Sequence, residues 1–290
     1  MESMIRKNPV ASVWIIFGIL ILVHGFEAIV VRMDETVAGE NFINKIFGIL
    51  VVFFVLRILG WKWRDIGFGA RNFARCIGIG LILALASFAL AYSAEILILK
   101  LQGHDIELGV FTTGFSLTGG SEIRKGAGFI IVCVFFNIIN VIMEEGTFRG
   151  LFYRIVRTSR PKSYALLFQA LLFGIWHIVT PLHNLLDGDI GVGAFIALGM
   201  GYIILAGMMG IKWGLLYRLT GSLYAGMADH FFNNCIATNL LHVLTEGSID
   251  EMMIVRVVIA QLLSFAVILI LWRKKVSLKQ ERNKDSIGEE

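Results

Sequence analysis

The sequence contains few cysteines, and their spacing matches no disulfide framework and no thiolate metal site. The chain of 290 residues has three cysteines, Cys76, Cys133 and Cys235, each within an apolar run. An odd number of cysteines without a framework spacing argues against disulfides and against a metal–thiolate centre. We therefore expect three buried, inert thiols.

Three common catalytic and binding signatures are also missing. The sequence has no HExxH helix, the motif that carries many protease zinc sites. No serine or cysteine is placed to pair with a base, since Ser222 begins its run well away from His230 and Cys235 points to another helix face than Asn234. The crowded glycines near residue 200 lack the third glycine of the dinucleotide pattern and follow no strand. We therefore expect no serine or cysteine hydrolase and no phosphate cradle.

The composition is that of a membrane protein rather than a soluble domain. Hydrophobic residues make up 57% of the chain and the mean hydropathy is +0.76, whereas soluble domains are about 45–50% apolar. The net charge of +4 would suit nucleic acid, but the basic residues lie in alternate loops instead of on one soluble face. We therefore expect an integral multi-pass membrane protein, in the plasma membrane if the source is prokaryotic, whose partners include lipid but no nucleic acid.

The apolar runs predict an all-α bundle of about eight transmembrane helices. A run of about 20 apolar residues can cross about 30 Å of hydrocarbon. The eight runs are Pro9–Val31, Phe42–Gly60, Phe73–Leu99, Ala127–Met143, Ser163–Thr180, Val192–Ile211, Ser222–Leu244 and Ile254–Trp272. The first run is too long for a signal peptide and lacks a small-residue cleavage site, so we interpret it as a retained span.

The charges of the loops predict that both termini are cytoplasmic, because cytoplasmic loops carry the excess of lysine and arginine. Basic residues gather in the second, fourth and sixth connections and in the tail: Arg57, Lys62, Arg64, Arg71 and Arg75; Arg154, Arg157, Arg160 and Lys162; Lys212 and Arg218; Arg273, Lys274 and Lys275. The intervening connections carry acidic residues and histidine: Asp34, Glu35 and Glu40; His104, Asp105, Glu107 and Glu122; Asp187 and Asp189; Glu246, Asp250 and Glu251.

The apolar runs follow one another with short links, so residues 1–275 are expected to form a single transmembrane domain. Residues 276–290 are polar and charged without periodicity, which predicts a disordered cytoplasmic tail. His24 and Glu27 lie three residues apart near the end of the first run, and we interpret them as a polar pair at the membrane interface.

Polar side chains concentrate in three of the apolar runs, where burying them is costly and usually marks a working site. In the fourth run, Asn137, Asn140 and Glu144 fall on one helical stripe, while Glu145 is rotated by about 100° from Glu144. Arg149 lies four residues after Glu145, the favoured offset for an ion pair. This pairing would leave Glu144 free to face a cavity.

The fifth run places Gln169, Phe173 and His177 on one face, and the seventh places His230, Asn234 and Thr238 on another. Their depths also match. The turn between the fourth and fifth runs lies at Arg160, which is 16 residues after Glu144 and 17 before His177. At about 1.5 Å per residue, both side chains lie about 24 Å from that turn, and His230 and Asn234 lie about 14–20 Å from the start of their run.

A carboxylate, two imidazoles and an amide at one depth are suited to hydrolysis of a carbonyl compound. The carboxylate of Glu144 can take a proton from water, and an imidazole can orient that water or relay its proton. An imidazole N–H and an amide N–H can stabilise the oxyanion that forms.

At these positions the chain resembles the CAAX protease and bacteriocin-processing family, also called the Abi family, which includes the type II CAAX prenyl endopeptidases. The three motifs of that family read Glu144-Glu145-Gly-Thr-Phe-Arg149, Phe173-Gly-Ile-Trp-His177 and His230-Phe-Phe-Asn-Asn234 in this chain. All three occur in order, and the signature core covers residues 127–244.

The resemblance implies an eight-helix intramembrane glutamic endopeptidase that needs no metal or other cofactor. Glu144 would be the general base, His177 would orient or deprotonate the water, and His230 with Asn234 would form the oxyanion site. Glu145, Arg149, Asn140 and Phe173 would support them. The substrate would be a membrane-associated peptide or protein, either prenylated or carrying a leader peptide.

Three alternatives stay open from the residues. Glu144, His177 and His230 could supply three ligands of a zinc hydrolase with one open position. The same polar cavity could serve a bacteriocin-immunity, transport or scaffold protein that binds without catalysis, although no matched pair of interrupted spans is visible. The polar residues could also form a network that specifies helix packing. The sequence does not fix the oligomeric state.

Overall fold

The computed structural model describes residues 2–36, 40–69, 71–113 and 123–285, with side chains as far as residue 278. Its helices are α1 Glu2–Lys7, α2 Pro9–Phe26, α3 Ile43–Leu59, α4 Phe73–Leu101, α5 Ala127–Glu144, α6 Tyr153–Val156, α7 Lys162–Trp176, α8 Val179–Leu186, α9 Val192–Thr220, α10 Tyr224–Phe231 and α11 Met253–Asp285. Strands β1 Glu107–Val110 and β2 Leu241–Leu244 form one small antiparallel pair. The all-α fold class is confirmed.

Three helical segments are wound more widely than an α-helix, with π-helical hydrogen bonding. They are Glu27–Val31 after α2, Glu145–Phe152 between α5 and α6, and Phe232–Thr238 after α10. Such π-helical turns are rare and often occur at functional sites. The second and third contain or adjoin the polar motifs, so the site lies where two helices change their winding.

Six helices of the described residues are long and apolar enough to cross a membrane, which agrees with a polytopic membrane protein. They are Pro9–Glu35, Phe73–Leu101, Ala127–Val156, Lys162–Leu186, Val192–Thr220 and Met253–Leu278. Of the other two predicted spans, α3 has 17 residues, just under that length. The number of crossings and the side of the termini remain predictions.

The seventh predicted span, Ser222–Leu244, is not one continuous helix. Its helical part ends at Thr238, and the apolar residues Leu241–Leu244 form β2 instead. These residues pair with β1 in the register Glu107↔Leu244 and Val110↔Leu241. This pairing satisfies the backbone hydrogen bonds of the strand. Apolar composition alone does not distinguish such a short strand from a helix.

Two further boundaries differ from the sequence prediction. Helix α9 continues to Thr220 and ends at Gly221, whose φ of 74° suits glycine, so Lys212 lies inside the helix and not in a basic loop. Lys212 is fully buried and is neutralised by Asp229. Helix α11 continues to Asp285, beyond the predicted start of a disordered tail at residue 276. Lysine, glutamine, glutamate and arginine are good helix formers and can carry a helix past its apolar part; residues 286–290 lie outside the described part.

The main core joins α2 and α3 to the polar motifs. Its fully buried members include Val13, Ile66, Phe148, Phe152 and Trp213. Glu27, predicted as part of a polar pair at the membrane interface, is buried inside the protein. Its carboxylate accepts hydrogen bonds from the backbone N–H of Ile43 at 2.8 Å and of Asn44 at 2.6 Å, so it satisfies the amino end of α3.

Candidate active site

A cavity of about 930 Å³ lies among the ends of the long helices. Its deep part is lined by Asn140 and Glu144 from α5, Trp176 and His177 from the end of α7, and Asn234 from the segment after α10. Glu145, Arg149 and His230 are not among its lining residues. The cavity is therefore lined by one carboxylate and one imidazole of the three motifs, together with the amides of Asn233 and Asn234.

Glu144 is held with its carboxylate at the cavity wall. The indole N–H of Trp176 donates a hydrogen bond to Glu144 Oε1 over 3.1 Å. The other oxygen, Oε2, lies 3.4 Å from Nε2 of His230 and has no hydrogen-bond partner among the described residues. One oxygen is thus fixed by the protein, and the other is a buried acceptor without a partner among the described residues.

Glu145 and Arg149 form an ion pair behind the cavity. Arg149 Nη1 lies 3.3 Å from Glu145 Oε1, and both side chains are almost completely buried. The guanidinium carbon also lies over two aromatic rings, 3.8 Å from the centroid of Phe173 and 4.9 Å from that of Trp213. Such cation–π contacts strengthen when water is excluded. The pair neutralises the second carboxylate of the motif and leaves that of Glu144 directed into the cavity.

His230 lies between the two glutamates. Its Nδ1 is 3.0 Å from Glu145 Oε1, and its Nε2 is 3.1 Å from Nδ2 of Asn234. Because a carboxylate only accepts and an amide nitrogen only donates, Nδ1 carries the proton and Nε2 accepts. The imidazole stacks on Trp213 at a ring distance of 4.0 Å, which fixes its plane.

His177 has its tautomer fixed by the backbone. Its Nδ1 lies 2.8 Å from the carbonyl oxygen of Phe173, one turn earlier in α7. A carbonyl oxygen only accepts, so Nδ1 donates and Nε2 keeps its lone pair. His177 lines the cavity, so this imidazole offers an acceptor to a molecule held there.

The amide of Asn234 is fixed from both ends. Its oxygen accepts a hydrogen bond from Asn233 Nδ2 over 2.7 Å, and its nitrogen donates to His230. Asn233 in turn accepts from Gln261 Nε2 of α11 over 2.9 Å. An amide nitrogen carries two hydrogens, and the one bond to His230 uses one of them. The second N–H of Asn234 remains for a ligand in the cavity that this residue lines.

A buried polar cluster that was not assigned to the site from the sequence supports His230. Lys212 of α9 pairs with Asp229 of α10 and also donates to Gln261 and Ser264 of α11. Asp229 accepts a hydrogen bond from the indole N–H of Trp213 over 2.6 Å, the ring on which His230 stacks. A lysine and an aspartate 17 residues apart in different helices carry no local signal that would predict this pair.

Two other residues of the site were also missed. Trp176, which holds Glu144, lies within the second motif and could have been identified by its position one residue before His177. His24 lines the cavity and stacks on Trp176 at a ring distance of 4.2 Å. Its place at the end of α2 gave no sign of this contact, because only the tertiary fold brings α2 beside α7.

Among the described residues, one group of three side chains has potential metal ligand atoms within 4.8 Å of one another, namely Glu35, His183 and Asp187. Arg32 pairs with both of its carboxylates, so the group forms an ion-pair network near the cavity mouth. The alternative metal set, Glu144, His177 and His230, is not such a group. In addition, the amide N–H of Asn234 donates to Nε2 of His230, the atom that would have to bind the metal.

Comparison with known families gives one match. Residues 126–236 match a family model described as Type II CAAX prenyl endopeptidase Rce1-like. The matched region begins just before α5 and ends within the π-helical segment after α10, so it contains all three polar motifs. Neither the comparison with curated proteins nor that with solved structures gave a match.

Proposed function

We propose that the chain is a membrane protease that cleaves a peptide bond with water activated by Glu144. The proposal is supported by the match of residues 126–236 to the Type II CAAX prenyl endopeptidase Rce1-like family model and by six helices long and apolar enough to cross a membrane. The observation that carries this proposal is the separation of the two adjacent carboxylates. Glu144 faces the cavity, whereas Glu145 is paired with Arg149 behind it.

Glu144 and His177 are two acceptors of the family motifs that line the cavity. Water held between the Glu144 carboxylate and His177 Nε2 would be oriented by both groups and would give its proton to the carboxylate. The resulting hydroxide adds to the carbonyl carbon of the substrate. Protonated Glu144 then gives the proton to the leaving nitrogen as the C–N bond breaks, and a carboxylic acid and an amine are formed; the acid afterwards loses its proton to solvent.

Asn234 would supply the donor for the negatively charged oxygen of the tetrahedral intermediate. Its free N–H is presented by an amide whose two other polar contacts are already made, so little reorganisation is needed during the reaction. His230 completes this site by accepting from Asn234 and by donating to Glu145. In this arrangement His230 orients the amide, and a proton reaching Nε2 would add a second donor.

The substrate class follows from the cavity walls. The lining combines apolar residues of α9 and α11, including Leu198, Leu205 and Val257, with several asparagines and threonines. A cavity of 930 Å³ is at the upper end of the range of about 300–1,000 Å³ typical of ligand sites. This space suits an extended peptide segment of a membrane-associated substrate, with or without a lipid chain.

Cleavage of quenched fluorescent peptides by the purified protein in detergent would test the proposal. One peptide set is prenylated and the matched set is not. Cleavage should be lost in Glu144→Gln and retained in Glu2→Gln, a matched change at an exposed carboxylate of α1, which contributes no residue to the cavity lining. Equal cleavage by both variants would overturn the assignment of Glu144.

Two further outcomes would support other functions. If Glu144→Gln kept the full biological function of the protein, that function would be binding, as in an immunity or scaffold protein. If strong chelators abolished cleavage and zinc restored it, a metal hydrolase would replace the glutamate mechanism.

A further inference from the structure

We propose that the substrate peptide enters the cavity from the non-cytoplasmic side of the membrane. This inference rests on the proposed function only for the nature of the occupant, a peptide. The side of entry follows from the cavity's mouth, its closed end and the charges of the loops.

The mouth is built from four connections that lie at one end of the bundle. The cavity is lined there by Glu35 and Lys45 from the links around α3, Thr113 before α5, Asn184 in α8 and Met253 at the start of α11. These positions belong to the first, third, fifth and seventh connections between the predicted spans. All four connections on one side of the bundle therefore contribute to the opening.

The opposite end of the site is closed by packed side chains. Residues 145–152 are all buried, and Phe148 and Phe152 have no exposed surface. The 3₁₀ turn Trp63–Ile66 packs directly under this segment. A Cβ atom added at Gly150 would lie 3.1 Å from the carbonyl oxygen of Ile66. No described residue of the second, fourth or sixth connection lines the cavity.

The charges assign the closed end to the cytoplasm. The second and fourth connections carry basic residues such as Arg57, Arg64, Arg157 and Arg160, and three more begin the tail at residues 273–275. The connections at the mouth carry half of the 22 acidic residues of the chain. Because short cytoplasmic loops are enriched in lysine and arginine, the open end faces the other compartment.

Helices α9 and α11 define a lateral side to this entrance. Their inner halves are joined by Lys212 to Gln261 and by Arg218, whose guanidinium lies 4.1 Å from the ring centroid of Trp272. In their outer halves both helices line the cavity, at Ala197–Leu198 of α9 and Val257–Val258 of α11. A peptide with an apolar flank in the outer leaflet and a polar segment in the outer compartment fits both surfaces.

The structure therefore favours a substrate bond on the non-cytoplasmic side, such as the outer flank of a membrane-anchored or exported peptide. A tail confined to the cytoplasm, lipidated or not, would meet the closed end formed by residues 63–66 and 145–152.

The side of entry can be tested by cysteine labelling in intact cells with a membrane-impermeant maleimide. Asn184→Cys reports the mouth, Leu205→Cys reports the cavity wall and Ser159→Cys reports the opposite end. Cys133 lines the cavity, so the substitutions are made in a Cys133→Ser background. That background is the baseline, since Cys76 and Cys235 are buried and do not line the cavity. Asn184→Cys and Leu205→Cys should be labelled in intact cells, and Ser159→Cys only after permeabilisation. The reverse pattern would overturn the inference, whatever the enzymatic activity.

A second experiment uses sealed membrane vesicles of known orientation and a water-soluble peptide that the detergent-purified protein cleaves. Right-side-out vesicles should cleave the peptide, and inverted vesicles should cleave it only after detergent is added. Cleavage restricted to inverted vesicles would overturn the inference but leave the proposed protease intact. If the purified protein cleaved no peptide in any form, the proposed function would fail while the labelling result would still stand.

Discussion

The indole N–H of Trp176 donates to Oε1 of Glu144 over 3.1 Å, and this hydrogen bond joins the second polar motif directly to the first. Trp176 is in turn covered by the ring of His24. Since the other carboxylate oxygen has no hydrogen-bond partner among the described residues, the bond from Trp176 is the one that fixes the orientation of this carboxylate among them.

Replacing Trp176 by phenylalanine should lower kcat while KM changes little. The change removes a hydrogen bond to a charged group, worth about 1.5–3 kcal/mol, which corresponds to about a 10- to 100-fold loss of rate. The measurement is steady-state cleavage of a fluorescent peptide. Trp14→Phe is the matched control, because Trp14 is exposed and does not line the cavity. An unchanged rate in Trp176→Phe would show that Glu144 is oriented by other contacts.

Replacing Asn234 by alanine should reduce kcat by about 100- to 1,000-fold, the usual effect of removing one oxyanion donor. Binding of an uncleaved peptide should change little, because the donor acts on charge that forms during the reaction. Asn184→Ala, at the mouth of the same cavity, should cleave normally. A loss confined to KM in Asn234→Ala would assign this amide to substrate binding instead.

Glycine 80 is a position where helix packing tolerates no side chain. A Cβ atom there would lie 2.1 Å from the carbonyl oxygen of Ala225 in α10, the helix that carries His230. Gly80→Ala should therefore destabilise the protein by about 1–3 kcal/mol. Gly78→Ala, on the same helix with nothing within 4 Å, should be neutral or slightly stabilising. Thermal unfolding in detergent compares the two, and an equal Tm for both would contradict the close packing of α4 on α10.

The buried Lys212–Asp229 pair should be costly to break from one side. Asp229→Leu leaves an unpaired buried ammonium and should cost about 3–5 kcal/mol, whereas the double change with Lys212→Met should recover much of that loss. The exposed pair Arg6–Glu2 is the control, since Arg6→Ala should cost less than about 1 kcal/mol. If the double variant were no more stable than Asp229→Leu, the buried ammonium of Lys212 would be stabilised by Gln261 and Ser264 and not by Asp229.

The sequence by itself determined the class of the protein and much of the candidate site. Apolar runs of membrane length identified the long helices, because a chain in lipid must satisfy its backbone within each helix. Helical periodicity separated Glu144 from Glu145, and counting residues from the turn at Arg160 placed Glu144 and His177 at one depth. In the structure Glu144 bonds Trp176, the residue before His177, and lies 3.4 Å from His230.

Only the tertiary structure decided which groups support those residues. Trp213 stacks on His230, Lys212 pairs with Asp229, and His24 stacks on Trp176. Each contact joins two different helices, so no local sequence pattern encodes it. The change from helix to strand at Leu241 depends on pairing with β1, more than 130 residues earlier. The direction of the cavity is also a property of packing, because aromatic side chains close one end of the bundle and leave the other open.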